Sequence, residues 1–196
     1  WDKKSHFVDG MCGSGTFLVE AAMIGANIPA NINREHFAFQ DWPDYDEVLW
    51  KLIRSSQLKR AQDCYGRVIG YDLNPDTVAS AKLNIANSGL EDYIEIHCEN
   101  FFETKKPEGP THLVFNPPYG VRIQGDIPEM YKSIGDTLKK NYSGAEAWFL
   151  TSHMDGLKHV GLRASRKIEI YQAKLECRFV KYEMYQGSKK MKYKQV

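Results

Sequence analysis

The chain has 196 residues and a mass of 22.5 kDa, a length that suits one α/β domain with a sizeable core. Apolar residues make up 42% and the formal net charge is +1, which argues against wholesale disorder and gives no strong electrostatic signature of nucleic-acid binding. No apolar run reaches the ~18 residues of a membrane span, no secretory signal is visible, and the scattered cysteines and histidines argue against a disulfide framework or a metal site. The first predicted element is a short apolar strand, Phe7-Val8-Asp9, which ends in an acid. The glycine-rich turn Gly10-Met11-Cys12-Gly13-Ser14-Gly15-Thr16 follows and opens a helix. Gly13 and Gly15 allow close backbone approach to a ligand, and Thr16 is placed to cap the helix. Leu18, Ala21, Ala22 and Gly25 recur at helical spacing, so that face packs on a sheet.

Asn27 to Trp42 reads as a loop anchored by Phe37, Phe39 and Trp42. Pro43 starts a helix to about Asp63, with Val48, Leu49, Leu52 and Ile53 as its apolar stripe. Its acidic residues gather at the start and its basic residues near the end, as the helix dipole prefers. Arg67 to Asp72 is a buried strand ending in a second acid, and Asn74-Pro75 opens a helix that stops at Gly89. Val78, Ala81 and Ile85 face the sheet. Tyr93 to Glu99 and Thr111 to Phe115 are the third and fourth strands. A loop from Gly120 to Ile127 leads to a helix that Pro128 starts and that ends near Gly144. Ala145 to Thr151 is a fifth strand, and a short helix spans about Met154 to Val160. Arg166 to Gln172 and Leu175 to Tyr185 form a hairpin. Alternating strands and helices make a doubly wound, mostly parallel sheet closed by a C-terminal antiparallel hairpin. The basic clusters, such as Lys51/Arg54/Lys59/Arg60, read as solvated faces.

In sheets of this kind ligands bind outside the carboxyl ends of the strands. Four clusters lie there: Asp9 to Gly15, Asp72-Leu73, Asn100-Phe101 and Asn116-Pro117-Pro118-Tyr119. The first turn lacks the lysine of a P-loop, and its G-x-x-G-x-G spacing differs from the dinucleotide fingerprint G-x-G-x-x-G. An acid after the second strand suits ribose hydroxyls, because a carboxylate accepts two hydrogen bonds. Leu73 and Phe101 are placed to sandwich an adenine, with Asn100 on its edge.

Asp-x-x-Cys-Gly-Ser-Gly-Thr followed by Leu-Val-Glu-Ala-Ala, then Gly-Tyr-Asp72 and Asn-Pro-Pro-Tyr-Gly, resembles class I S-adenosylmethionine-dependent methyltransferases. With Asn-Ile-Asn-Arg-x-x-Phe-x-Phe-x-x-Trp it resembles, more narrowly, the RNA N2-guanine methyltransferases that carry a THUMP domain, including those of large-subunit ribosomal RNA. The resemblance covers essentially the whole chain. It implies a single Rossmann-like methyltransferase domain over residues 1–196, cut from a longer cytoplasmic protein whose upstream THUMP portion captures RNA. It further implies that Asp9, Gly10, Met11, Cys12, Gly13, Ser14, Gly15 and Thr16 shape the pocket for the methionine part of S-adenosylmethionine. By the same resemblance, Asp72 and Leu73 lie at the ribose and adenine, Asn100-Phe101 hold the adenine, and Asn116 to Tyr119 hold the target base beside the cofactor. Three positions depart from the family pattern. Gly10 replaces a proline, Asn100 an aspartate, and Gln172-Ala173 an Asn-Gly hairpin turn.

An exocyclic amine is a poor nucleophile, because its lone pair is delocalised into the ring. The Asn116 side-chain oxygen and the Pro117 carbonyl can each accept one amine hydrogen, two prolines stiffen the turn, and Tyr119 offers a face to a base swung out of its helix. Guanine N2 in RNA is the first expectation. Adenine N6 in nucleic acid, a protein glutamine amide and a catalytically silent cofactor-binding subunit are the alternatives. Neither a metal nor a membrane partner is expected.

Overall fold

The computed structural model describes residues 1–118 and 126–185. Its strands are β1 (His6–Asp9), β2 (Val68–Asp72), β3 (Ile94–Cys98), β4 (Thr111–Phe115), β5 (Glu146–Thr151), β6 (Arg166–Gln172) and β7 (Leu175–Glu183). Its α-helices are α1 (Thr16–Gly25), α2 (Glu47–Leu58), α3 (Pro75–Ser88) and α4 (Ile127–Asn141). The strands form one sheet in the order β3-β2-β1-β4-β5-β7-β6. β1 to β5 run parallel, whereas β7 enters antiparallel between β5 and β6, with Thr151 opposite Arg178. Strand order reverses between β1 and β4, which opens a crevice at their carboxyl ends.

Alternation along the strands builds two cores. Phe7 of β1 shares one core with Leu18 and Ala22 of α1, Val68 of β2, Ile85 of α3 and Leu90 beyond it. Val8, one residue on, turns to the other face and joins Leu113, Phe115, Ile134, Leu138, Phe149 and Val180 under α4. The expected sheet-facing residues of α1 (Leu18, Ala21, Ala22, Gly25) and α3 (Val78, Ala81, Ile85) are the buried ones. Asn74 caps α3 through Asp76 N–H at 2.9 Å, Pro75 occupies the first turn, and Gly89 ends the helix at φ 65°. Among the described residues, no helix is long and apolar enough to cross a membrane.

Two expectations need correction. α1 is not capped by Thr16: the N-cap is Gly15 in the left-handed region at φ 85°, and Thr16 is the first helical residue with no cap bond from its side chain. A glycine at that point lets the chain pass close to Ala81 of α3, 3.4 Å from where a Cβ would stand. α2 starts at Glu47, where Asp46 accepts the Leu49 N–H at 2.9 Å, and ends at Leu58, short of Asp63. Its stripe does not reach the sheet, since Val48, Leu49, Leu52 and Ile53 are all exposed. Helical period shows that a helix has an apolar side, but among the described residues nothing covers that side of α2.

Candidate active site

The turn after β1 is tied to the end of β2. Cys12 N–H donates to the Tyr71 carbonyl at 2.9 Å, and Gly13 N–H donates to Asp72 Oδ2 at 3.0 Å. The other carboxylate oxygen, Oδ1, accepts the Asn74 N–H at 3.0 Å. Asp72 is therefore held from both sides, and each oxygen retains acceptor capacity for an incoming hydroxyl. Gly15 N–H closes the turn on the Cys12 carbonyl at 2.9 Å, while Asn84 of α3 donates to the Ser14 carbonyl at 2.9 Å. Asn84 was not legible as a site residue, because an asparagine on a polar helix face gives no signal of its own. Positive φ at Gly13 (55°) and Gly15 bends the backbone over this turn.

Asp9 ends β1 beneath the turn and is 2% exposed. Its Oδ1 accepts the Met11 N–H at 3.1 Å. Burial raises its pKa to about 8 and the charge of Asp72 adds to the rise, against the lowering effect of the Met11 N–H. Cys12 is buried too, and desolvation pushes its thiol up to about 12, which makes it a packing group and not a nucleophile. The Met11 side chain packs against the core under α4.

The adenine sandwich expected of Leu73 and Phe101 is not presented by the structure. Leu73 is 70% exposed, but Phe101 is 2% exposed, with its ring against Phe115 at 5.2 Å and Tyr142 at 5.5 Å between centroids. Thr104 fixes it from behind: the hydroxyl donates to the Phe101 carbonyl at 2.8 Å and meets the Tyr142 hydroxyl at 2.7 Å. Phe101 floors the turn, with its ring packed in the core. Asn100 accepts the Phe102 N–H at 3.1 Å and donates to Glu103 at 3.3 Å, so it caps the short 3-10 turn Phe101–Glu103.

Across the switch point, Asn116 follows β4 directly. Its Oδ1 is buried and has no hydrogen-bond partner among the described residues. Buried acceptors are rarely left unpaired, and one standing at a strand end points to a ligand group. Pro117 is buried and Pro118 is exposed; Tyr119 lies outside the described residues. Asp9, the turn through Thr16, Asp72, Asn100 and Asn116 thus stand at the carboxyl ends of the four strands flanking the reversal. Among the described residues, no group of three or more His, Cys, Asp and Glu side chains is arranged to hold a metal ion.

A sheet of this order with β7 reversed, and a glycine turn joined to an acid after β2, defines a methyltransferase domain. The chain belongs to the family of RMKL-like methyltransferase domains, whose model matches residues 1–181. It is 31% identical over 188 residues to the ribosomal RNA large subunit methyltransferase K/L of Shewanella frigidimarina, covering 92% of this chain and 26% of that protein. The protein of the same name from Hahella chejuensis is 33% identical over 188 residues, with 91% and 26% covered. Among solved structures, SMU.472 in complex with SAH superposes with a TM-score of 0.88 at 31% identity, covering 96% of this chain and 50% of that one. A protein from Listeria monocytogenes named as a "predicted N6-adenine-specific DNA methylase" gives 0.82 at 27%, with 96% and 48% covered. The chain thus spans about a quarter of the length of these curated relatives and about half that of the solved chains.

Proposed function

We propose that this domain transfers the methyl group of S-adenosylmethionine to an exocyclic amine of an RNA base, with guanine N2 of large-subunit ribosomal RNA as the target. The observation that carries the reading is the buried Asn116 Oδ1 directly after β4, without a hydrogen-bond partner among the described residues and across the strand reversal from the glycine turn. The names of the curated relatives support ribosomal RNA as the substrate, and the SAH found with SMU.472 supports the cofactor.

The residues present fit such a cofactor. Asp72, held by Gly13 and Asn74, would accept the ribose hydroxyls, and the turn Gly10 to Thr16 would surround the methionine part over Asp9. Asn100 would stand at the adenine, with Leu73 beside it, while Phe101 supports them from the core. When bound, the cofactor supplies a methyl group on a sulfonium, already a strong electrophile, so positioning of the amine dominates and no strong base is required. Asn116 Oδ1 and the Pro117 carbonyl would each accept an amine hydrogen and turn the nitrogen lone pair towards the methyl group. As the nitrogen becomes pyramidal its hydrogens grow more acidic, and these bonds strengthen in the transition state.

The second reading, adenine N6, is favoured by one observation: an Asn-Pro-Pro-Tyr turn serves either amine, and the Listeria structure carries an adenine-methylase name. RNA capture through an upstream THUMP portion, in the cytoplasm, completes the proposal and rests on the family resemblance. The deciding experiment is mass spectrometry of nucleosides from ribosomal RNA, with the gene present and deleted. Loss of N2-methylguanosine on deletion supports the first reading. Loss of N6-methyladenine instead, from RNA or from DNA digested in parallel, replaces it with the second, and unchanged RNA and DNA profiles defeat both.

A further inference from the structure

The apolar side of α2 is left facing water. Val48 is 78% exposed, Leu52 66% and Leu49 51%. On a helix these three share one side with Ser55 and Ser56. The opposite side carries Trp50, whose ring meets Phe37 and Phe39 at 5.5 and 5.1 Å between centroids and fastens the helix to the preceding loop. A contiguous apolar stripe on a helix of twelve residues is the pattern of a buried contact, and here nothing within the described residues buries it.

The charges at the two ends of the same helix are complementary to those of a second copy. Asp44, Asp46 and Glu47 gather at its start, whereas Lys59 and Arg60 stand at its end. Asp44, Lys59 and Arg60 make no ion pair among the described residues, while Glu47 is taken up by Lys51 at 2.7 Å. A second copy of this helix laid parallel would set acid on acid and base on base. Laid antiparallel about a two-fold axis, it sets each acidic start against a basic end and also opposes the two helix dipoles. Leu52 lies near the middle of the helix and would meet its own copy beside the axis. Val48 and Leu49 would then rest on Ser55 and Ser56 of the other copy, whose small side chains allow close approach.

We propose that α2 is the contact between two copies of this chain, packed antiparallel across a two-fold axis with Leu52 at its centre. The proposal concerns assembly and stands independently of the methyl-transfer reading. It is tested on the full-length gene product by light scattering behind size-exclusion chromatography, from low micromolar to sub-millimolar protein. A concentration-dependent dimer is expected. Leu52→Glu, which would bury a like-charged pair at the axis, weakens it by about a hundredfold or more. Lys59→Glu reverses two symmetric ion pairs and weakens it about tenfold. Asp44→Lys combined with Lys59→Glu restores the dimer, because the charges have merely changed ends. All substituted side chains are on the surface, and unchanged far-ultraviolet circular dichroism shows that the variants remain folded. A monomer at every concentration overturns the proposal, including one in which another part of a longer chain covers α2. So does a dimer indifferent to Leu52→Glu, or a charge swap that fails to restore it.

Discussion

A Cβ on Gly10 would stand 2.5 Å from Cδ2 of Phe101 and 2.8 Å from Cε2, well inside van der Waals contact. Gly10 is buried, and Phe101 cannot retreat, because Phe115 and Tyr142 hold its other faces. The glycine and the ring therefore occupy one packing site. The family resemblance puts a proline at this position, and here the ring fills the room that its side chain would need.

Gly10→Ala is accordingly expected to cost roughly 1–3 kcal/mol of stability, the usual scale of overpacking. Its φ is not among the positive ones, so the cost is steric and not conformational. Combining it with Phe101→Leu should recover part of the loss, although Phe101→Leu alone also destabilises. Urea unfolding of the two single variants and the double variant gives the coupling energy. Strict additivity would show that the two residues do not share the site.

Asp9 gives the fold a pH signature. Unfolded, its carboxyl titrates near the ordinary 3.8; folded, burial raises that to about 8. Between these values the folded chain holds a proton that the unfolded chain has lost, so stability falls as pH rises and the contribution is gone once pH passes about 8. His112 acts in the opposite sense, since burial lowers its pKa from 6.5 to about 4, so its contribution to stability increases with pH over that range. The two offset each other between about pH 4 and 6.5. From there to about pH 8 the Asp9 slope stands alone, at about 1.4 kcal/mol per pH unit for one proton. Asp9→Asn should flatten it. Urea titrations of the ligand-free protein at several pH values measure the slope, and an equal fall in the asparagine variant would assign it to another group.

Asp72→Ala removes the acceptor shared by Gly13 and Asn74, together with the proposed ribose contact. Affinity for S-adenosylhomocysteine should drop by roughly 1.5–3 kcal/mol, the scale of hydrogen bonds to a charged group. Calorimetric titration measures this, and wild-type affinity in the variant would remove Asp72 from the cofactor site.

The strand ends were legible because an apolar run closing on an acid, followed by glycines, has few structural meanings. The buried faces of α1 and α3 were legible because both helices lie on the sheet, where period and burial coincide. Phe101-Phe102 was not: adjacency in sequence does not say which ring turns inward, and it is Phe101 that enters the core. Asn100 read as an adenine contact, but the same side chain also satisfies a local N–H, a competition that residue identity alone does not resolve. The hairpin closes without its Asn-Gly turn because Ala173 itself takes φ 53°, while Gln172 pairs with Leu175. Pairing along β6 and β7 outweighs that local cost of about 1–2 kcal/mol.

Asn116→Ala separates chemistry from folding and from cofactor binding. Its Oδ1 is buried without a partner among the described residues, so the native side chain carries a desolvation cost that those residues do not recover. Alanine removes that cost and leaves a small cavity in its place, and the two effects act in opposite directions. Thermal stability should therefore change little or rise, as it does where a site trades stability for activity. S-adenosylhomocysteine affinity should remain close to wild type, because the proposed partner of Oδ1 is the target amine. Single-turnover methylation of the RNA should fall by on the order of a hundredfold or more, since the nitrogen loses the acceptor that turns its lone pair to the methyl group. The three measurements belong together. Loss of turnover with loss of stability would make Asn116 a structural residue. Loss with weakened S-adenosylhomocysteine binding would move it to the cofactor side of the crevice. Wild-type turnover would leave the orphaned acceptor without the catalytic role assigned to it.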